Sequence, residues 1–127
     1  MDLGTGTGVI AIIAAKYGHT VRATEVDPEA HRIATENIDR NDVEGLVVVT
    51  QKNAVTSRVD STDLVVANVT LGVHRQISAN YANADRIIVA GILCNQVGKM
   101  GELLPEHTST TISTRGEWAA IDFSRAE

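Results

Sequence analysis

Asp2, Gly4, Gly6 and Gly8 stand at alternate positions just ahead of an apolar run, Val9 to Ala15. Glycines at every second position allow positive φ and let a ligand approach the main chain without meeting a Cβ, so the stretch is a candidate cofactor loop. A dinucleotide fingerprint would need its third glycine at position 9, where Val9 stands, and a phosphate-binding loop would need Gly-Lys-Ser/Thr after the glycines. Neither is present. The Asp2 carboxylate would repel a pyrophosphate but attract an ammonium or a sulfonium, and S-adenosylmethionine carries both.

Glu25 ends an apolar stretch about 20 residues after the loop, where a carboxylate can accept hydrogen bonds from both hydroxyls of a ribose. Asp27, two residues on, precedes Pro28 and has a competing role as a helix cap. Further along, the Asn53 amide oxygen could accept from the exocyclic amine of an adenine while the Ala54 N–H reaches a ring nitrogen; an Asn in a turn is the plainer reading. Asn68 closes another apolar stretch, at the carboxyl end where ligands sit in open α/β sheets, and could orient a methyl acceptor or contact the methionine portion. His19, His31, His74 and His107 lack metal-ligand spacing, so no metal is expected. His74 is at most a weak substrate-contact candidate, and a surface position is expected for it.

These residues need elements to hold them, and apolar runs alternating with helix-periodic segments describe an open, mostly parallel α/β sheet. Met1 to Leu3 reads as the tail of the first strand, shorter than the usual five or six residues; the sequence is therefore expected to begin inside that strand, as an N-terminally truncated fold. A helix apolar on nearly every side follows over about Thr7 to Tyr17, expected to be buried all round. Strands are expected at Val21 to Val26, Leu46 to Thr50, Asp63 to Ala67 and Arg86 to Ala90, the last closing at Gly91. Helices are expected from Pro28 to about Arg40, Leu71 to Tyr81 and Asn95 to Leu104. Thr108 to Thr114 and Glu117 to Ser124 form a terminal antiparallel hairpin with Ala119, Ile121 and Phe123 on one side.

With 127 residues the chain has room for one domain, expected to span 1–127. Net charge is −5 and the 11 basic residues are scattered singly, which argues against direct nucleic-acid binding. The lone Cys94 forms no internal disulfide, and no apolar run approaches the roughly 20 residues of a membrane span. A cytoplasmic location is expected.

Asp2-Leu3-Gly4-Thr5-Gly6-Thr7-Gly8-Val9 resembles the first motif of class I S-adenosylmethionine-dependent methyltransferases, and Glu25-Val26-Asp27-Pro28 resembles their acidic second motif. Within that class, Asp63-Leu64-Val65-Val66-Ala67-Asn68-Val69, Gly91-Ile92-Leu93 and Gly116-Glu117-Trp118 are similar to the PrmA methyltransferases of a large-subunit ribosomal protein. The resemblance implies a Rossmann-like fold with an antiparallel last strand and S-adenosyl-L-methionine as cofactor. It places Asp2, Gly4, Thr5, Gly6 and Gly8 at the methionine end, Glu25 at the ribose, Asn53 and Ala54 at the adenine, and Asn68 at the acceptor site. The implied reaction is methylation of protein amines, chiefly lysine side chains. Glu25 and Asn53 stand where that family more usually has Asp, and Asn68-Val69-Thr70 is not the Asn-Pro-Pro-Tyr of adenine and amide methylases. Methylation of RNA or a small molecule, and a truncated non-catalytic cofactor-binding domain, are the alternatives.

Overall fold

A computed structural model describes residues 1–126, which divide into two compact units, the first 1–57 and the second from 58 onward. In the first, strands β1 (Asp2–Leu3), β2 (Val21–Glu25) and β3 (Val47–Gln51) pair in parallel in the order β3-β2-β1. Helices α1 (Val9–Lys16) and α2 (Pro28–Arg40) connect them. Val21 and Ala23 of β2 and Val47 of β3 pack with Ala11 and Ala15 of α1 and Ile38 of α2. Small side chains on α1 allow this close approach. The prolines and caps act as the sequence requires: Asp27 accepts from the Ala30 N–H at 2.8 Å, and Pro28 occupies the first turn. Such a cap contributes about 1 kcal/mol.

The expectation that α1 is buried all round is not met. Only Ala11 and Ala15 are fully buried, while Val9, Ile13 and Tyr17 are exposed on the other side. An all-apolar sequence cannot show which side the sheet covers. The helix is also shorter than expected, because Gly8 takes a left-handed conformation, with φ 87°, as its N-cap.

The second unit contains β4 (Thr62–Asn68), β5 (Ala84–Leu93), β6 (His107–Arg115) and β7 (Trp118–Arg125). β4 and β5 are parallel; β7 runs antiparallel to both β5 and β6. Cross-strand pairs Ile87–Phe123 and Val89–Ile121 carry the core, and Ala119, Ile121 and Phe123 are buried on one side as the alternation requires. α3 (Leu71–Ile77) gives way to a 3₁₀ turn at Ser78–Tyr81, and α4 (Val97–Glu102) follows β5 after a 3₁₀ turn at Cys94–Gln96. β5 does not close at Gly91 but runs through it, with φ 78° at Gly91 and a register shift against β7 between Val89 and Ile92. A glycine inside a strand is a bulge position as often as a terminus. No helix among the described residues is long and apolar enough to cross a membrane.

Candidate functional site

The first unit assembles the glycine loop and the end of β2 into one hydrogen-bonded group. Gly4, Gly6 and Gly8 all have positive φ. The Thr5 N–H donates to the Thr24 carbonyl at 2.9 Å, so the loop leaves β1 still paired to β2. Glu25 then reaches back: one carboxylate oxygen accepts from the Gly6 N–H at 2.8 Å and the other from the Asp27 N–H at 3.0 Å. Each oxygen retains lone-pair capacity for a hydroxyl. A Cβ built on Gly6 would meet nothing within 4 Å, whereas one on Gly8 would touch Ala34 of α2 at 3.4 Å. The loop is thus open on the Gly6 side and packed at Gly8.

Asp2 is buried and accepts from the Thr5 hydroxyl at 2.5 Å. Burial raises its pKa above the usual carboxylate value, opposed by the Thr5 hydrogen bond. A carboxylate held in this way gains most from a cation brought close to it. Asn53 is exposed, and its amide oxygen accepts from the Val55 N–H at 2.9 Å, an Asx turn. Its carbonyl also takes the Ser57 hydroxyl at 2.8 Å. Asn53 and Ala54 are therefore placed by a turn at the carboxyl side of β3. Val26, to which the sequence reading gave no role of its own, is an apolar side chain 58% exposed between Glu25 and Asp27.

In the second unit, Asn68 ends β4, is exposed, and borders an open cleft of about 600 Å³ lined by Val69, Gly91, Thr114, Arg115 and Trp118 among others. A Cβ on Gly91 would lie 2.9 Å from Asn68 Oδ1 and 2.5 Å from the Val69 carbonyl oxygen, so only glycine lets the bulge of β5 meet the end of β4. Arg115 and Trp118 were not singled out individually as site candidates. The hairpin pattern placed them near a turn without showing what they face. His74 is not the surface residue expected: it is fully buried, with Nδ1 2.7 Å from the Tyr81 hydroxyl and Nε2 2.9 Å from the Ala90 carbonyl. No cluster of potential metal ligands occurs among the described residues.

Solved structures align with nearly the whole chain. The ribosomal protein L11 methylase of Lactobacillus delbrueckii subsp. bulgaricus aligns with a TM-score of 0.90 at 25% identity, covering 99% of this chain and 69% of that one. Magnesium protoporphyrin IX methyltransferase of Synechocystis PCC 6803, with bound S-adenosylmethionine, aligns at 0.83 and 16% identity, covering 98% and 68%. The fold is therefore the α/β, Rossmann-like fold of S-adenosylmethionine-dependent methyltransferases. The family described as ribosomal protein L11 methyltransferase (PrmA) matches residues 1–126, and the chain belongs to that family. Curated relatives include the ribosomal protein L11 methyltransferases of Alkaliphilus oremlandii (strain OhILAs), 34% identical, and Pelotomaculum thermopropionicum, 38% identical. Each alignment covers 94% of this chain and 41% of the relative, so the chain spans about two-fifths of their length.

Proposed function

We propose that the chain is the catalytic portion of an S-adenosyl-L-methionine-dependent methyltransferase that acts on protein amines, with lysine side chains of a ribosomal protein as substrate and the cytoplasm as its location. The observation that carries the reading is the Glu25 carboxylate joining the Gly6 and Asp27 amides. It supports a preformed ribose site beside a loop whose open face, at Gly6, fits the cofactor. Family membership and the names of the curated relatives support the same reading.

When bound, the cofactor supplies an activated methyl group on a sulfonium. Asp2 would oppose the positive charge of the methionine end, the glycine loop would admit it to the backbone, and Glu25 would take the ribose hydroxyls. Asn53 and Ala54 would hold the adenine, and the exposed Val26 would offer it an apolar contact. Asn68 orients the acceptor nitrogen, whose pKa of about 10.4 must fall by desolvation or whose proton must pass to water before it can attack. Methyl transfer of this kind asks the protein chiefly for alignment and exclusion of water, in keeping with a sequence rich in binding residues and poor in bases.

Calorimetric titration of the folded chain with S-adenosylmethionine and with its demethylated product tests the cofactor assignment. Labelled methyl transfer to ribosomal protein L11 tests the acceptor. Saturable one-to-one binding and lysine labelling are expected. A folded chain that binds neither ligand overturns the reading; binding without transfer leaves a cofactor-binding domain.

A further inference from the structure

We infer that His74 is a positioning residue for Asn68, acting through the Ala90 carbonyl at the bulge of β5. The inference rests on the proposal that Asn68 stands at the methyl-acceptor site. A carbonyl oxygen only accepts, so the contact from His74 Nε2 to Ala90 O at 2.9 Å fixes the proton on Nε2. Nδ1 is then the acceptor and the Tyr81 hydroxyl, 2.7 Å away, the donor. Both side chains are fully buried. Burial holds the imidazole below its usual pKa, against the raising influence of the Ala90 and Val69 carbonyls, which keeps the ring neutral.

The Ala90 carbonyl is the point where this relay meets the acceptor segment. It also accepts the Val69 N–H at 3.2 Å, and Ala90 is the register partner of Asn68. One residue on, Gly91 lies against both Asn68 Oδ1 and the Val69 carbonyl. His74 is itself anchored on the same segment, its N–H donating to the Thr70 carbonyl at 2.9 Å. The carbonyl at the bulge is therefore held from the Val69 side by backbone and from the α3 side by an imidazole whose other nitrogen Tyr81 anchors. A histidine is suited to this because its two nitrogens can donate in one direction and accept in another. Glutamine can do the same from its amide, and leucine can do neither.

The test compares His74→Gln, His74→Leu and Tyr81→Phe with the unsubstituted 127-residue chain by ¹⁵N NMR and by methyl-transfer kinetics. His74→Leu is expected to displace the Val69 amide and Asn68 carboxamide resonances and to lower kcat about 100-fold, the scale of a small misplacement at a reacting centre. The KM for S-adenosylmethionine should stay within about twofold, since cofactor binding is assigned elsewhere. His74→Gln should restore both signals to near those of the parent. Tyr81→Phe, which removes one oxygen, should leave Nδ1 without its donor, loosen the ring on the Ala90 carbonyl and lower kcat about fivefold; it decides the matter if His74→Leu does not fold. Unchanged Asn68 and Val69 resonances in a folded His74→Leu or Tyr81→Phe chain overturn the inference. If the resonances move as expected but the parent chain transfers no methyl group to any amine, it is the acceptor-site proposal that fails, and the positioning of Asn68 stands.

Discussion

The glycine loop with Glu25 and the segment around Asn68 are both candidate binding regions at the carboxyl ends of parallel strands, yet they are held by different means. In the first unit the partners are backbone amides of the loop and of the turn after β2: Glu25 takes the N–H groups of Gly6 and Asp27 directly. In the second, Asn68 rests on a bulge, and the bulge is held by a buried imidazole and phenol. The first arrangement sets where hydrogen-bonding groups sit by the chain's own short loop. The second depends on packing of α3 and the following 3₁₀ turn against β5. Substitutions should separate them: changes in the first unit should act on cofactor affinity, and changes in the second on stability and on transfer at saturating cofactor.

The largest effect is expected from Gly91→Ala. An alanine there would adopt φ near 78° and place its Cβ 2.5 Å from the Val69 carbonyl oxygen, a backbone atom that cannot rotate away. Backbone strain alone costs about 1–3 kcal/mol, and the overlap adds to it. Urea denaturation should show a loss of about 3 kcal/mol or more. The folded fraction should bind S-adenosylmethionine within about twofold of the parent while transferring methyl groups about 100-fold more slowly. Parental stability in this variant would mean the bulge is not the constraint the geometry describes.

Glu25→Ala is the counterpart in the first unit. It removes a charged acceptor from two backbone amides and from the proposed ribose contacts, and hydrogen bonds to charged groups contribute about 1.5–3 kcal/mol each. Affinity for S-adenosylmethionine should fall about 100-fold, with kcat at saturating cofactor within about threefold of the parent. Calorimetry and saturation kinetics read the two quantities separately. Unchanged affinity would remove the ribose assignment, and a fall in kcat alone would erase the contrast between the units.

The same contrast explains what was legible from the sequence. The glycine loop and Glu25 stand at a motif interval, 19 residues from Gly6 to Glu25, and the Asp27 cap acts over 3, so residue type and interval were enough to single them out. α2 and the terminal hairpin were legible because a helix cap, a proline and strict alternation each act locally. The contacts of His74 were not, since no motif interval marks Tyr81 or the Ala90 carbonyl and packing alone brings them to the ring. The same holds for the exposed side of α1, where an unbroken apolar sequence carries no directional information. At Gly91 the sequence showed an interruption but could not distinguish a strand end from a bulge, because either one needs a glycine.

The smallest effect, and the one with opposite signs in its two readouts, is expected from Asp2→Asn. Burial raises the folded-state pKa of Asp2, and the nearby Glu25 carboxylate pushes the same way. The folded chain therefore binds the Asp2 proton more tightly than the unfolded chain does. Below the usual carboxylate value, 3.8, ionisation costs the fold nothing; as pH rises from there through the raised folded value, stability is lost. Asparagine carries no charge and retains an oxygen to accept from the Thr5 hydroxyl. Asp2→Asn should melt at a higher temperature than the parent at pH 7, with the difference closing as the solution is acidified. Its affinity for S-adenosylmethionine should fall about fivefold, because the charge opposing the cationic methionine end is gone. Such a variant would mark Asp2 as a carboxylate that lowers stability in the service of binding. A melting temperature below the parent's at pH 7, with affinity intact, would instead make it a structural acceptor for Thr5, and the first unit would then depend on burial as the second does.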